Sequence, residues 1–201
     1  MASIRLATES DAAAVADIYR PIVTSTAITF ETEPPSVDEM RRRIVETLPV
    51  YPWLICDVEG GVAGYAYATK HRVRAAYRWS VDTSIYVDPK ARRTGIGRGL
   101  YRSLFAILAA QGYFNAYAGI ALPNPGSVAL HEAMGFQSIG VFRKVGFKRG
   151  AWHDVGWWEL TLKSTGEDVP REPLPMAVVQ SRVDWTARLS SGARDIRHGR
   201  A

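Results

Sequence analysis

The sequence predicts an α/β domain of the α+β kind, a mixed central sheet of about seven strands flanked by helices. Three observations carry this. Short strand-like runs interleave with runs at helical spacing, in the order strand, two helices, three strands, helix, strand, helix, two strands. Glycine and proline signals separate most of these runs. The 201 residues, 47% hydrophobic and 22% charged, suit one globular domain with a full core and room for a tail.

Residues 3–6 alternate and read as a short strand. Ser10 or Asp11 can cap the following helix, whose apolar stripe is Ala14, Val15, Ile18, Tyr19 and Ile22. Pro21 is expected to end or kink it early. Residues 27–35 read as a loop, and residues 36–48 as a second amphipathic helix capped by Ser36. Residues 53–58 and 62–69 are strand-like, joined by a Glu59-Gly60-Gly61 hairpin turn. Residues 79–87 form another strand, stopped by Asp88-Pro89. A helix follows with Gly97, Leu100, Tyr101, Leu104, Phe105 and Leu108 on one face, closed by Gly112. Residues 115–122 read as a strand, 127–134 as a short helix, and 137–142 and 152–162 as the last strands. The catalytic-size unit therefore spans residues 1–162. Residues 163–201 change character: proline and charge come first, then arginines without a strong amphipathic period. That predicts an extended or flexible tail.

Composition excludes several classes. No apolar run approaches the roughly 20 residues needed to span a bilayer. Residues 1–11 lack an apolar signal core, so a cytoplasmic location is expected, with no membrane partner. The single cysteine, Cys56, cannot form an internal disulfide and sits among apolar neighbours with no partner base in view. No cluster has metal-ligand spacing. A net charge of +5 is too small to favour nucleic acid over an anionic cofactor, and the arginine-bearing tail lacks aromatic interleaving beyond Trp185.

The most informative segment runs from Arg92 to Arg98, between a strand and a helix start. A diphosphate needs backbone N–H donors and close approach. Gly95 and Gly97 remove the Cβ that would block it, and the helix start adds unpaired N–H groups and a positive dipole end. Arg92, Arg93 and Arg98 add charge suited to anionic oxygens. A Walker loop would need Lys-Ser/Thr where Arg98-Gly99 stand, and the dinucleotide fingerprint needs GxGxxG where Gly95, Gly97 and Gly99 alternate. The segment reads as a pyrophosphate cradle.

This stretch resembles the GNAT superfamily of N-acetyltransferases, whose pattern Q/R-x-x-G-x-G/A it matches from Arg92 to Gly97. The resemblance runs over residues 3–162. It is nearest to the phosphinothricin and methionine-sulfoximine acetyltransferases, through "FETEPPS", "YPWLICDVEGGVAGYAYA", "SIYVDPKARRTGIGRGLY", "ALPNPGSVALHEAMGF" and "VGFKRGAWHDVGWWEL". It implies the GNAT fold and acetyl-CoA as co-substrate. The acceptor it implies is the primary amine of a small amino-acid-like molecule, attacked directly in a ternary complex by a homodimeric enzyme. By the same resemblance Ile85, Tyr86 and Val87 grip the pantetheine arm through their backbone. Arg93, Thr94, Gly95, Ile96, Gly97 and Arg98 hold the diphosphate, and Asn124 bonds the arm.

The chemistry needs a neutral amine, a polarised carbonyl and a protonated leaving thiolate. Asp82 corresponds to a glutamate credited as general base in the resembling enzymes. Asp is one methylene shorter, which leaves two readings, a base acting through water and an ammonium-binding group. His131 stands where many members have a tyrosine near the sulfur, and an imidazole there can assist proton movement; a helix-surface histidine is the plain alternative. Carbonyl polarisation falls to a backbone N–H near Tyr86. Arg72 and Arg74 offer guanidinium forks for a carboxylate. Phe30, Glu31 and Glu33 occupy positions of substrate contacts in the resembling enzymes. Trp152, Trp157 and Trp158 read as core or dimer packing, and His153-Asp154 as a turn. Other readings are a peptide, protein or antibiotic amine as acceptor, and a non-catalytic acyl-CoA-binding module.

Overall fold

Seven strands lie in the order β1-β2-β3-β4-β5-β7-β6. The computed structural model describes residues 2–166 and 169–197. The strands are β1 Ala2–Leu6, β2 Trp53–Val58, β3 Gly61–Lys70, β4 Ser80–Val87, β5 Asn115–Leu122, β6 Gln137–Lys148 and β7 Ala151–Thr161. All neighbours pair antiparallel except β4 and β5, which are parallel. The element order is the one the sequence predicts.

Helices cover both faces. On one face α3, Ile96–Gln111, packs Leu100, Leu104 and Leu108 onto Leu54, Ala66, Val81 and Ala116 of the sheet. On the other, α1 (Ala12–Ser25) and α2 (Val37–Thr47) bury Val15, Tyr19, Met40 and Ile44 against Trp53, Ile55 and Tyr65. Side chains alternate across a strand, so β4 sends Val81 to the α3 core and its neighbour Asp82 to the α1–α2 side. Local chemistry sets the ends. Ser36 Oγ accepts the Glu39 N–H at 3.1 Å and starts α2. The β2–β3 turn puts Glu59 and Gly60 at φ 53° and 85°, the left-handed pair that a two-residue hairpin needs.

Three expectations change. Pro21 lies inside α1, which runs on to Ser25. Its face is exposed while Ile22 and Val23 beside it are buried, so the carbonyl freed four residues back is left towards solvent and packing carries the helix through. The α1 entry is not capped by Ser10. Asp11 instead accepts the Thr8 N–H at 2.7 Å and the Arg5 guanidinium at 2.8 Å. The tail is the largest difference. Residues 169–175 carry no element and are exposed at 169–172, as an extended segment would be, but residues 176–197 are packed rather than flexible. Two short helices, α5 (Met176–Gln180) and α6 (Trp185–Leu189), and a turn at Ala193–Asp195 lie against α3. Met176, Val179 and Ile196 are buried in the α3 core. Elements of five residues are too short for a helical period to show in sequence. Gln111 Nε2 ties the segment down, donating to Val50 O at 2.7 Å and Leu174 O at 2.9 Å. The final residues 198–201 lie outside the described residues.

If the tail is part of the core, Met176→Ala should cost about 2–5 kcal/mol, the usual loss for a buried methionine. Urea unfolding checks this; a change below about 0.5 kcal/mol, as for an exposed site, would contradict the packing.

Candidate active site

β4 ends at Val87, and a single turn, Pro89–Ala91, follows Asp88, whose Oδ1 accepts the Lys90 N–H at 2.8 Å. Thr94 Oγ1 donates to Ala91 O at 2.6 Å. Gly95 takes φ 87° and opens α3, and the Gly99 N–H makes the bond back to Gly95 O at 2.9 Å. The N–H groups of Ile96, Gly97 and Arg98 therefore stand before the helical ladder, aimed outward at the positive end of a 16-residue helix. A Cβ on Gly97 would lie 3.0 Å from Leu130, so the helix start packs closely on α4 (Pro125–Ala133). Arg92, Arg93 and Arg98 are exposed and form no salt bridge among the described residues. Donors and charges together fit a diphosphate. The tail closes the far side: Thr94 O accepts the Arg197 N–H at 2.7 Å.

Beside this cradle the sheet splits. β4 and β5 pair only from Ser80↔Asn115 to Asp82↔Tyr117. Beyond that point the strands diverge and leave a slot of about 60 Å³, walled by Thr83, Ser84, Ile85 and Tyr86 of β4 and Ala118, Gly119, Ile120 and Ala121 of β5. Ile28, Tyr101, Asn124, Ser127 and His131 complete it. A second cavity, about 190 Å³, lies on the α1–α2 side, lined by His71, Arg72, Tyr117, Ile139, Gly140, Phe142 and Trp157. Asp82 stands between the two. Ser84, two residues along the same face, walls the slot, and Tyr117, the register partner of Asp82, lines the cavity. The narrow slot suits an extended chain, and the wider cavity a compact molecule.

Residues 4–157 match the model of the acetyltransferase (GNAT) domain family. This chain belongs to the GNAT acetyltransferase family. It is 40% identical over 176 residues to a phosphinothricin N-acetyltransferase of Streptomyces viridochromogenes, covering 88% of this chain and 93% of that protein. It is 32% identical over 163 residues to an L-methionine sulfoximine/L-methionine sulfone acetyltransferase of Salmonella typhimurium, covering 80% and 94%. A phosphinothricin acetyltransferase of Sinorhizobium meliloti, solved in complex with acetyl-CoA, superposes with a TM-score of 0.81 and 37% identity over 86% of this chain and 95% of that one.

Within this GNAT fold His131 is buried, not on a helix surface. Its Nδ1 lies 2.8 Å from Ser127 O, which can only accept, so Nδ1 carries the proton. Nε2 then accepts from the Tyr101 hydroxyl at 2.8 Å. Tyr101 is fully buried against the slot, and desolvation pushes its pKa well up, so it remains a proton donor. On the cavity side Asp82 bonds His71 Nδ1 at 2.6 Å. Burial pushes the Asp82 carboxyl up, opposed by His71 and Arg72. The Arg72 guanidinium lies 5.5 Å from the Trp157 ring.

Other expected residues fall elsewhere. Asn124 caps α4, accepting the Ser127 N–H at 3.2 Å, and also walls the slot. Glu31 is engaged structurally, bonding Arg43 Nη1 at 2.8 Å and the Tyr19 hydroxyl at 3.1 Å. The Phe30 ring covers Gly146. Glu33 and Arg74 are exposed. None of Phe30, Glu31, Glu33 and Arg74 lines either cavity. Sequence reasoning missed Ile28, His71, Tyr101 as a polar group, and Tyr117. One signal was available for His71: the hairpin register Thr69↔Asp82 puts residue 71 beside the Asp82 end of β4.

Burial also lowers the His131 pKa, with the Ser127 carbonyl opposing. Its folded value lies below the unfolded one, so the associated stability is full above the unfolded value near 6.5. It is lost as pH falls through the folded value. The urea midpoint should therefore drop less between pH 7 and pH 5 in His131→Gln than in the wild type. Parallel drops in the two proteins would contradict a histidine kept neutral by burial.

Proposed function

We propose that this GNAT chain transfers the acetyl group of acetyl-CoA to the primary amine of a small amino-acid-like acceptor of the phosphinothricin or methionine sulfoximine/sulfone type. Transfer occurs by direct attack in a ternary complex. The observation that carries this reading is the slot between β4 and β5, with a diphosphate cradle at one end and, at the other, a cavity lined by Arg72 and by His71, whose ring is hydrogen-bonded to Asp82.

Arg93, Thr94, Gly95, Ile96, Gly97 and Arg98 hold the diphosphate. The unpaired backbone of Ile85, Tyr86 and Val87, with Asn124, holds the extended arm of the same molecule. When bound, acetyl-CoA supplies an activated acyl carbonyl and a thiol leaving group. A backbone N–H near Tyr86 polarises the carbonyl. Asp82 receives the ammonium group of the acceptor and Arg72 its carboxylate. Tyr101 gives its hydroxyl proton to His131 Nε2, and this buried pair lines the slot beside the place of the leaving sulfur. No acetylated cysteine enters the scheme: Cys56 is buried on β2, and burial pushes its thiol up to about 11. A cavity of 190 Å³ fits a compact zwitterion better than a peptide groove.

The assembly we propose is a homodimer through the outer strand pair. β6 is the last strand of the sheet, and its Val141, Val145 and Phe147, with Trp152 of β7, are 46–61% exposed. A long, apolar sheet edge is a ready pairing surface. The setting we propose is cytoplasmic, where acetyl-CoA is supplied; no described helix is long and apolar enough to cross a membrane. Nucleic acid is not a proposed partner, since Arg188 of the tail is paired with Asp184.

Thiol release from acetyl-CoA should be seen with phosphinothricin, methionine sulfoximine, methionine sulfone or free amino acids; reaction with peptides alone would refute the acceptor class. Arg98→Ala should raise the KM for acetyl-CoA roughly 10-fold or more, as for loss of a charged hydrogen bond, with a smaller change in kcat. Light scattering on Phe147→Asp should show a shift from dimer to monomer, and a monomeric wild type would refute the dimer.

A further inference from the structure

His71 belongs to no part of the scheme above, yet its ring is held by a carboxylate and two aromatic rings at the edge of the acceptor cavity. It follows the end of β3, stacks on Tyr117 with ring centroids 4.3 Å apart and 18° between planes, and meets the edge of Tyr77 at 6.0 Å. Its side chain is 11% exposed. Nδ1 lies 2.6 Å from Asp82 Oδ1. An ionised carboxylate only accepts, so Nδ1 carries the proton and Nε2 is left with its lone pair. Nε2 makes no hydrogen bond among the described residues, and it is not one of the buried unpaired atoms. His71 lines the cavity, so Nε2 is the nitrogen it opens towards the acceptor.

We infer that His71 is the catalytic base of the acceptor site, taking the amine's proton at Nε2, and that Asp82 is the positioning residue that fixes its tautomer and ring. This rests on the acetyl-transfer reading above and reassigns the proton within it. The step balances simply. An ammonium acceptor gives one proton to Nε2 and becomes a neutral amine, and His71 becomes imidazolium against the Asp82 carboxylate. The amine lone pair forms the N–C bond to the acetyl carbon, and the C–S bond breaks with its electron pair going to sulfur. His71 releases that first proton to solvent through the open cavity and then takes the second proton from the adduct nitrogen; the departing thiolate takes one proton from solvent, so one proton is released net.

Three observations favour His71 over Asp82 alone. An ordinary carboxylic acid is far too acidic to hold a proton taken from an ammonium group, whereas an imidazole titrates near neutrality. The Asp82 oxygen nearest the ring is already engaged. The ring is clamped on both sides by Tyr117 and Tyr77, as a group that must present one nitrogen in a fixed direction would be. The other charged groups around it are few. Arg72 follows it in the chain and also bears on Asp82, and Glu159 on β7 acts on Tyr117 from below.

The test uses the full chain with whichever amino-acid acceptor the thiol-release screen identifies. His71→Asn keeps a donor near Asp82 but has no base. Its kcat/KM for the acceptor should fall roughly 100-fold or more, with acetyl-CoA affinity by calorimetry unchanged. The acid limb of the wild-type pH profile, assigned to the base, should disappear. In His71→Ala, added imidazole should restore part of the rate. Asp82→Asn should keep the limb but move it. A His71→Asn rate within about threefold of wild type would overturn the inference. So would a loss that is uniform with pH and is not rescued by imidazole, which marks a structural role. If the wild type acetylates no amino-acid amine, the functional reading itself has failed. If the wild type works and the variants keep its profile, only the role of His71 has failed.

Discussion

The site depends on one break in the sheet. Every strand neighbour pairs along most of its length except β4 and β5, which separate after Asp82 and Tyr117. Separation leaves a row of backbone N–H and C=O groups on each lip, and such groups must find partners. Two helices keep the lips apart on one side, since Tyr101 of α3 and His131 of α4 meet across the gap at 2.8 Å. The slot is thus lined by peptide groups and closed beneath by a hydrogen-bonded pair. That is what an extended ligand with amide groups of its own requires. Closing the sheet would satisfy the backbone internally and abolish the site.

The cradle is fixed from outside as well as from the sheet. Gly99 and Gly192 approach so closely that a Cβ on Gly99 would lie 2.7 Å from Gly192 O. Gly192 N–H donates to Ser103 Oγ at 3.1 Å, and Arg102 Nε lies 2.6 Å from Asp195 Oδ2. With the Arg197–Thr94 backbone bond, these contacts pin residues 192–197 along the first turns of α3. The family match stops at residue 157, so this outer wall is an addition to the shared domain. Gly99 therefore serves helix–tail packing, and Gly95 serves both the left-handed turn into the helix and the same packing, since a Cβ there would lie 2.0 Å from Asp195 O.

The elements, and the glycine-bearing turn into α3, were legible because their causes are local. The 2.0 and 3.6 periods, the Glu59-Gly60 turn and the Arg92–Arg98 run all lie within a few residues of what they determine. Pro21 misled because a local rule met a tertiary constraint, the burial of Ile22 and Val23. Glu31 misled in the opposite sense. Its charge reads as available until the fold brings Arg43 and Tyr19 to it. The tail was illegible because its helices are shorter than the window in which a period can be seen, and its order comes from α3. Asp82 was visible as a carboxylate on the strand before the motif. Its partner His71 was not, because the pair is made by strand register across a loop.

The two polar pairs lie on opposite faces of the same sheet, and this constrains the chemistry. Asp82 and His71 face the α1–α2 side, while Tyr101 and His131 reach the slot from the α3–α4 side. No hydrogen bond among the described residues links one pair to the other. Thr83 comes between them, gives its hydroxyl to Tyr117 O at 3.2 Å and lies beside the Tyr101 hydroxyl. Among the described residues each pair is closed on itself, Asp82 with His71 and Tyr101 with His131.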